Sequence, residues 1–206
     1  MGRVGLPLAG QKSAPTTPRT LGTLGPTRFC PAGGTPIAHQ LVGALPEVRL
    51  FDPEYVGYMV AEHLRDHEFT DFQQLEPWGT LVPTVMAEIT RFTDQGLIAP
   101  QTVLVAEYWR ELRGRFMDYS LDVFHVVLHV GPDVLEARIR ADQVDQPACG
   151  WRLDHVAEYT AAHDWLVDAA DLVVDATNLT PPEVSAVIQA AVSRRPGSPA
   201  VSSRPR

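Results

Sequence analysis

Three apolar runs constrain this chain more than any other feature: VRLF at 48–51, DVFHVVLHV at 122–130 and DLVVD at 171–175. Each is nearly continuous rather than alternating, so both faces of the strand must be covered by other elements. That is the pattern of a parallel sheet sandwiched between helices. The segments between them have helical character. The pattern predicts helices over 36–45, 53–66, 74–93, 106–116, 132–141, 152–169 and 181–192, with further strand over 97–103. Pro77 and Pro83 are expected to bend the third helix. Thr180, Pro181 and Glu183 form a capping box with proline at the first helical position. The expected fold class is therefore α/β, a three-layer parallel sheet with helices on both faces.

The ends read differently. Residues 1–36 contain seven Gly and six Pro and follow neither a helical nor a strand period. The tail from Ser193, SRRPGSPAVSSRPR, has the same character. The expected organisation is an irregular or disordered segment over 1–31, one domain over 32–192 and a disordered tail over 193–206.

Charge narrows the function classes. All 25 acidic residues fall between Glu47 and Glu183, against nine arginines in that stretch, a balance of −16. Such a body repels phosphate backbones, so nucleic acid is not an expected partner. No run of 18 apolar residues is present, and the first residues, MGRVGLPLAGQKS, lack the apolar core of a secretory signal. Two cysteines, Cys30 and Cys149, are too few for a disulfide scaffold or a cysteine-based metal site. The expected compartment is a reducing cytoplasm. His125 and His129, four apart on a strand, share a face but lack a third ligand nearby, and read as packed strand histidines. His155, on a helix, has no assigned role.

Two constellations could carry chemistry. Ala32-Gly33-Gly34-Thr35 opens a helix, and a small-residue loop there turns backbone N–H groups toward an anion. The same residues also make an ordinary turn with a threonine cap. Downstream, Leu50-Phe51-Asp52-Pro53-Glu54 ends a strand and begins a helix. An acid at the carboxyl end of a parallel strand faces the crevice where such sheets bind ligands. Asp52 is equally a helix cap followed by proline, and the two roles are compatible.

At this point a resemblance becomes specific. GGTPIAHQL, FDPEYVG, DFQQLEPW, LIAPQTVLVAEYWREL and LHVGPDVLEARIR occur in an order and spacing that resemble the tunicamycin-resistance protein family of P-loop kinase-like ATP-binding proteins. WRLDHVAEY resembles actinobacterial members. The matching stretch, Gly33 to Arg140 with this extension, covers roughly two thirds of the chain. The resemblance implies a P-loop kinase fold, ATP with Mg²⁺ as cofactors, a small-molecule acceptor and, in some members, resistance to a nucleoside antibiotic. More broadly the chain resembles small-molecule kinases such as chloramphenicol phosphotransferase and shikimate kinase. By position, Gly33 and Gly34 fall in the phosphate loop and Thr35 on the Mg²⁺-binding hydroxyl. Asp52 falls on the acid that activates the acceptor, and Glu54 and Trp78 on the substrate side. Arg138, Arg140 and Arg152 fall on lid positions that cover the nucleotide. A solvated helix face for the arginines and core packing for Trp78 stay open as alternatives.

The chain departs from the motif where charge matters. A phosphate loop reads GxxxxGK[ST], with the lysine on the β- and γ-phosphates. Here Arg28 takes the first glycine position and Gly34 the lysine position, and the sole lysine, Lys12, is out of register. LGTLGPTRFC, which should supply the strand before the loop, has no β-branched apolar run. An altered reading frame or misassigned start upstream of residue 32 and decay of the loop are both open origins. The expected function is an ATP-binding, kinase-like small-molecule phosphotransferase of the antibiotic-resistance type with an impaired phosphate loop. The alternatives are a non-catalytic nucleotide- or ligand-binding protein of the same fold and, failing a nucleotide site, an interaction module.

Overall fold

A strand that is apolar on both faces needs cover on both, and a computed structural model shows how this chain provides it. The structure describes residues 19–24, 34–142 and 149–195. Among them, the strands are β1 (Arg19–Leu24), β2 (Val48–Leu50), β3 (Gly96–Gln101), β4 (Asp122–Val123), β5 (Val126–His129) and β6 (Leu172–Asp175). They form one parallel sheet in the order β2-β3-β1-β5-β6, with β4 also paired to β1. The helices are α1 (Gly34–Ala44), α2 (Glu54–His63), α3 (Glu76–Thr93), α4 (Ala106–Asp118), α5 (Pro132–Ala141), α6 (Cys149–Ala169) and α7 (Pro181–Ser193).

Strand β3 shows the sandwich residue by residue. Ile98 enters a core with α1, α5, α6 and α7 residues such as Leu41, Ile139, Tyr159 and Ile188. Its neighbours Leu97 and Ala99 enter a second core with Val56, Trp78, Met86 and Leu112 from α2, α3 and α4. Successive side chains of a strand point to opposite faces, so one strand feeds both cores.

The sequence expectation fails in instructive places. Residues 19–24, inside the segment expected to be irregular, form the central strand: Thr20–Leu24 lie against Leu97–Gln101, and Thr23 and Leu24 against Val126 and Val127. Two parallel neighbours supply this strand's ladder, and tertiary pairing overrides its weak intrinsic preference. The rest of the 1–31 segment lies outside the described residues. The predicted tail also starts too early. Arg195 pairs with Asp122 at 3.1 Å and lies 4.7 Å over the Phe124 ring, so the chain is still packed there.

The strand predicted over 123–130 is split at Phe124-His125, where the His125 N–H bonds Asp171 Oδ2 at 2.7 Å. Helix α2 stops at Leu64, short of the predicted Asp66. Pro77 starts α3 rather than bending it, because its missing N–H falls in the first turn, whereas Pro83 lies inside the helix. The capping box is present: Glu183 Oε2 accepts from the Thr180 N–H at 2.8 Å.

Candidate active site

Chain order reverses about β1: β2 and β3 lie on one side, β4, β5 and β6 on the other. In an open parallel sheet the crevice beyond the carboxyl ends at such a switch point is where ligands bind. The structure opens a cleft of about 490 Å³ at the carboxyl end of β3. Its walls come from the first turn of α2, residues 69–74, Gln101, Thr102, Leu104 and Val105, Tyr108 of α4, and His155 and Glu158 of α6.

Hydrogen bonds within residues 69–75 hold that wall. Asp71 Oδ1 accepts from the Gln73 N–H at 2.8 Å and caps a 3-10 turn at 72–74. Thr70 and Gln74 bond each other twice, both at 3.0 Å. Gln73 Nε2 donates to the Thr102 carbonyl at 2.6 Å, fastening the segment to the end of β3. Gly57 lets it lie close against α2: a Cβ there would fall 2.6 Å from the Phe72 ring. Phe72 in turn packs at 5.5 Å on Trp78.

Two acids mark the start of α2. Asp52, half-buried, follows β2, and its Oδ1 accepts from the Glu54 N–H at 2.9 Å. It therefore does cap the helix, with Pro53 after it. It borders a shallow apolar groove with Leu50, Phe51, Tyr55, Val56, Met59 and Val85. Glu54, one residue beyond the proline, is buried on the wall of the main cleft and accepts from Tyr58 OH at 2.8 Å. Trp78 does not cover the cleft as expected. It is 1% exposed, and its Nε1–H donates to the Pro53 carbonyl at 3.2 Å, so it acts from the core by fixing the turn that carries Asp52 and Glu54.

On the phosphate side, Gly34 and Thr35 open α1, whose first turn holds no acid. A helix N-terminus without an acid suits an anion. Gly33 lies outside the described residues. The described backbone at the start of α1 therefore fits a phosphate through its dipole, and the sequence brings no lysine there.

The three predicted nucleotide arginines do not converge. Arg138 Nη2 donates to the carbonyls of Ala176 and Thr177 at 3.2 and 2.9 Å, tying α5 to the loop after β6. Arg140 lies on the surface with Glu136 at 3.4 Å. Arg152, with a side chain 4% exposed, pairs with Asp142 at 2.7 Å. Burial and ion pairing correct the expectation that Arg152 reaches a nucleotide.

The two histidines pack, but not on one strand face as expected: His125 lies in the break between β4 and β5 against α4, whereas His129 ends β5 against α6. His125 is 1% exposed, 4.3 Å from the Trp109 ring, with Nδ1 bonded to the Ala169 carbonyl at 2.9 Å. Burial holds its pKa below the ordinary histidine value. His129 meets Tyr159 OH at 2.9 Å; burial, then the neighbouring His163, lowers its pKa.

Sequence reasoning missed Gln101, whose side chain ends an otherwise apolar strand at the cleft. The available signal was a polar residue closing the run LIAPQ. It left His155 without a role, and the structure places it on the cleft wall, 3.6 Å from Glu158.

Together, the parallel sheet, its strand order and its helical layers make this a P-loop kinase-like fold. Solved structures agree. The chain is similar to the Deinococcus radiodurans tunicamycin resistance protein (TM-score 0.66, 24% identity, 85% of this chain and 95% of that one). It is also similar to a gluconokinase from Sinorhizobium meliloti 1021 (TM-score 0.57, 14% identity, 86% and 93%). A third is shikimate kinase from Bacteroides thetaiotaomicron (TM-score 0.56, 16% identity, 85% and 98%). Comparison with protein-family models and with curated proteins gives no match. Among the described residues, no helix is long and apolar enough to cross a membrane.

Proposed function

We propose that the chain is an ATP-dependent small-molecule phosphotransferase of the antibiotic-resistance type, with a phosphate loop weakened by Gly34 in the lysine position. The observation that carries this is the cleft at the sheet's carboxyl edge, beside a helix start that holds Asp52 and Glu54 in fixed positions. The fold is shared with solved gluconate and shikimate kinases and with a tunicamycin resistance protein, which supports a phosphoryl donor and a hydroxyl acceptor as the ligands. ATP with Mg²⁺ would supply the phosphoryl group.

The chain's own residues do the positioning. The α1 N-terminus and Thr35 would hold phosphate and metal, and Arg138 and Arg140 would border the nucleotide side. Asp52 takes the proton from the acceptor hydroxyl, and Glu54 holds the acceptor against the wall. Positioning and charge neutralisation carry most of phosphoryl transfer, so the missing lysine weakens the donor side without dismantling the acceptor side. A second reading, a non-catalytic binder of the same fold, is favoured by one observation, Gly34 itself.

The test separates capping from chemistry in a Gly34→Lys background. Asparagine caps a helix about as well as aspartate, so Asp52→Asn is expected to keep the melting temperature and lower kcat by about 10²–10⁴. Asp52→Ala is expected to lose the cap as well, about 1 kcal/mol. Full turnover in Asp52→Asn, with only Asp52→Ala melting earlier, would make Asp52 a cap alone. No turnover in the Gly34→Lys protein itself would favour the non-catalytic reading.

A further inference from the structure

Among the described residues, two neighbouring helices leave apolar stripes open to water. On α2, Tyr55 and Met59 lie four apart on one face and are 72% and 48% exposed. On α3, Val85, Ile89 and Phe92 share a face by the same helical spacing, and Phe92 is 92% exposed. A shallow groove joins the stripes, with Tyr55 and Met59 on one bank, Val85 on the other, and Leu50 and Phe51 from the end of β2 between them. Strand β2 is the last of the sheet at that edge. A large aromatic side chain carries about 150–250 Å², so Tyr55, Met59 and Phe92 alone expose roughly 400 Å². That is about half of the roughly 800 Å² that each partner buries in a standard stable interface.

The rim of this face carries both signs of charge. Glu62 continues the Tyr55–Met59 stripe, and Arg65 pairs with it. Glu88 lies between Val85 and Phe92 on α3, and Arg91 pairs with it. All four side chains are exposed, and such pairs on one helix surface are worth little, so they exchange partners at little cost. A partner of a single sign would meet attraction and repulsion together. A second copy meets attraction alone, because across a two-fold axis residue i contacts j while j contacts i. Glutamates of each protomer can then face arginines of the other, which matters in a body with 25 acids and nine arginines over 47–183.

We propose that the α2–α3 face is the interface of a homodimer, with Tyr55, Met59 and Phe92 at its apolar centre and Glu62, Arg65, Glu88 and Arg91 paired across the two-fold axis. An apolar centre within a polar rim is the ordinary anatomy of such an interface. Asp52, on the border of the groove, keeps its own partner there, the Glu54 N–H at 2.9 Å. The proposal goes beyond the phosphotransferase reading and needs neither nucleotide nor acceptor.

The test is sedimentation equilibrium of the full-length protein over about 1–100 µM, without nucleotide. Twice the monomer mass is expected at the upper end, with monomer appearing on dilution. Tyr55→Glu/Phe92→Glu changes two exposed positions and is expected to weaken association at least about a hundredfold. At about 1 µM, where both proteins are largely monomeric, its melting temperature is expected to match that of the parent. Glu62→Lys/Glu88→Lys and Arg65→Glu/Arg91→Glu are each expected to weaken self-association at least about tenfold, and an equimolar mixture of the two to associate again.

A monomer at about 100 µM would overturn the proposal. So would a dimer that persists in Tyr55→Glu/Phe92→Glu, or a charge-reversed mixture that fails to associate. A monomer whose melting temperature falls in Tyr55→Glu/Phe92→Glu would assign the face to a segment of the same chain, and would overturn it as well.

Discussion

The two sides of the sheet's carboxyl edge differ in how they are held. On the β2–β3 side, the cleft wall is fastened by side-chain hydrogen bonds: Asp71 to Gln73, Thr70 to Gln74, Gln73 to Thr102, Trp78 to Pro53. On the β1–α1 side, the residue that would bring charge to a phosphate is replaced by Gly34, and the three arginines aligned with the nucleotide lid point to partners within the chain. The difference teaches that the fold's core does not depend on a charged residue at the start of α1. Both hydrophobic cores close, and the cleft wall forms, around a helix that starts with glycine and threonine.

If the acceptor wall is braced from the core, damage to the brace should exceed any change on the donor side. Trp78→Ala removes a fully buried ring and the bond to the Pro53 carbonyl. It is expected to lower unfolding free energy by about 3–5 kcal/mol in denaturant titrations. A loss of under about 1 kcal/mol would show that the turn bearing Asp52 and Glu54 stands without it.

A smaller change tests the close approach of residues 69–75 to α2. Gly57→Ala places a methyl group 2.6 Å from the Phe72 ring, so the ring must move out of its site beside Trp78. Overpacking of about 1–3 kcal/mol, partly offset by alanine's helix preference of about 1 kcal/mol, should leave a net destabilisation. A more stable Gly57→Ala protein would mean that the segment gives way freely.

Much of this architecture was legible and some was not, for physical reasons. The apolar runs at 122–130 and 171–175 located the sheet because burial on both faces forces continuous hydrophobicity. Thr180-Pro181 with Glu183 located α7 because capping is local chemistry. The central strand was not legible, because RTLGTL has little strand preference and acquires its conformation from β3 and β5. The cleft was half legible: DFQQLEPW and WRLDHVAEY contribute to its wall, but only folding shows that Gln73, Gln101, His155 and Glu158 meet. Arg152 misled because a lone arginine in sequence does not reveal that Asp142, ten residues earlier, buries it as an ion pair.

The seam between the two sides gives the mildest test. His125 sits where β4 and β5 break, packed on Trp109 of α4, and burial depresses its pKa. A depressed pKa means that the folded chain binds fewer protons than the unfolded one at acid pH. Stability is therefore expected to be flat above about pH 7 and to fall as pH drops through the ordinary histidine value near 6.5. His125→Phe should flatten that decline in melting curves between about pH 7 and pH 5. A decline of unchanged slope would assign it to other groups, such as the exposed carboxylates.

The account turns on Gly34, and the most direct measurement is a calorimetric titration of the full-length protein and its Gly34→Lys variant with ATP and Mg²⁺. A charge-assisted contact to phosphate is worth about 1.5–3 kcal/mol, so the lysine variant is expected to bind ATP about ten- to a hundredfold more tightly. Equal dissociation constants for the two proteins would contradict the claim that a nucleotide's phosphates lie at the start of α1.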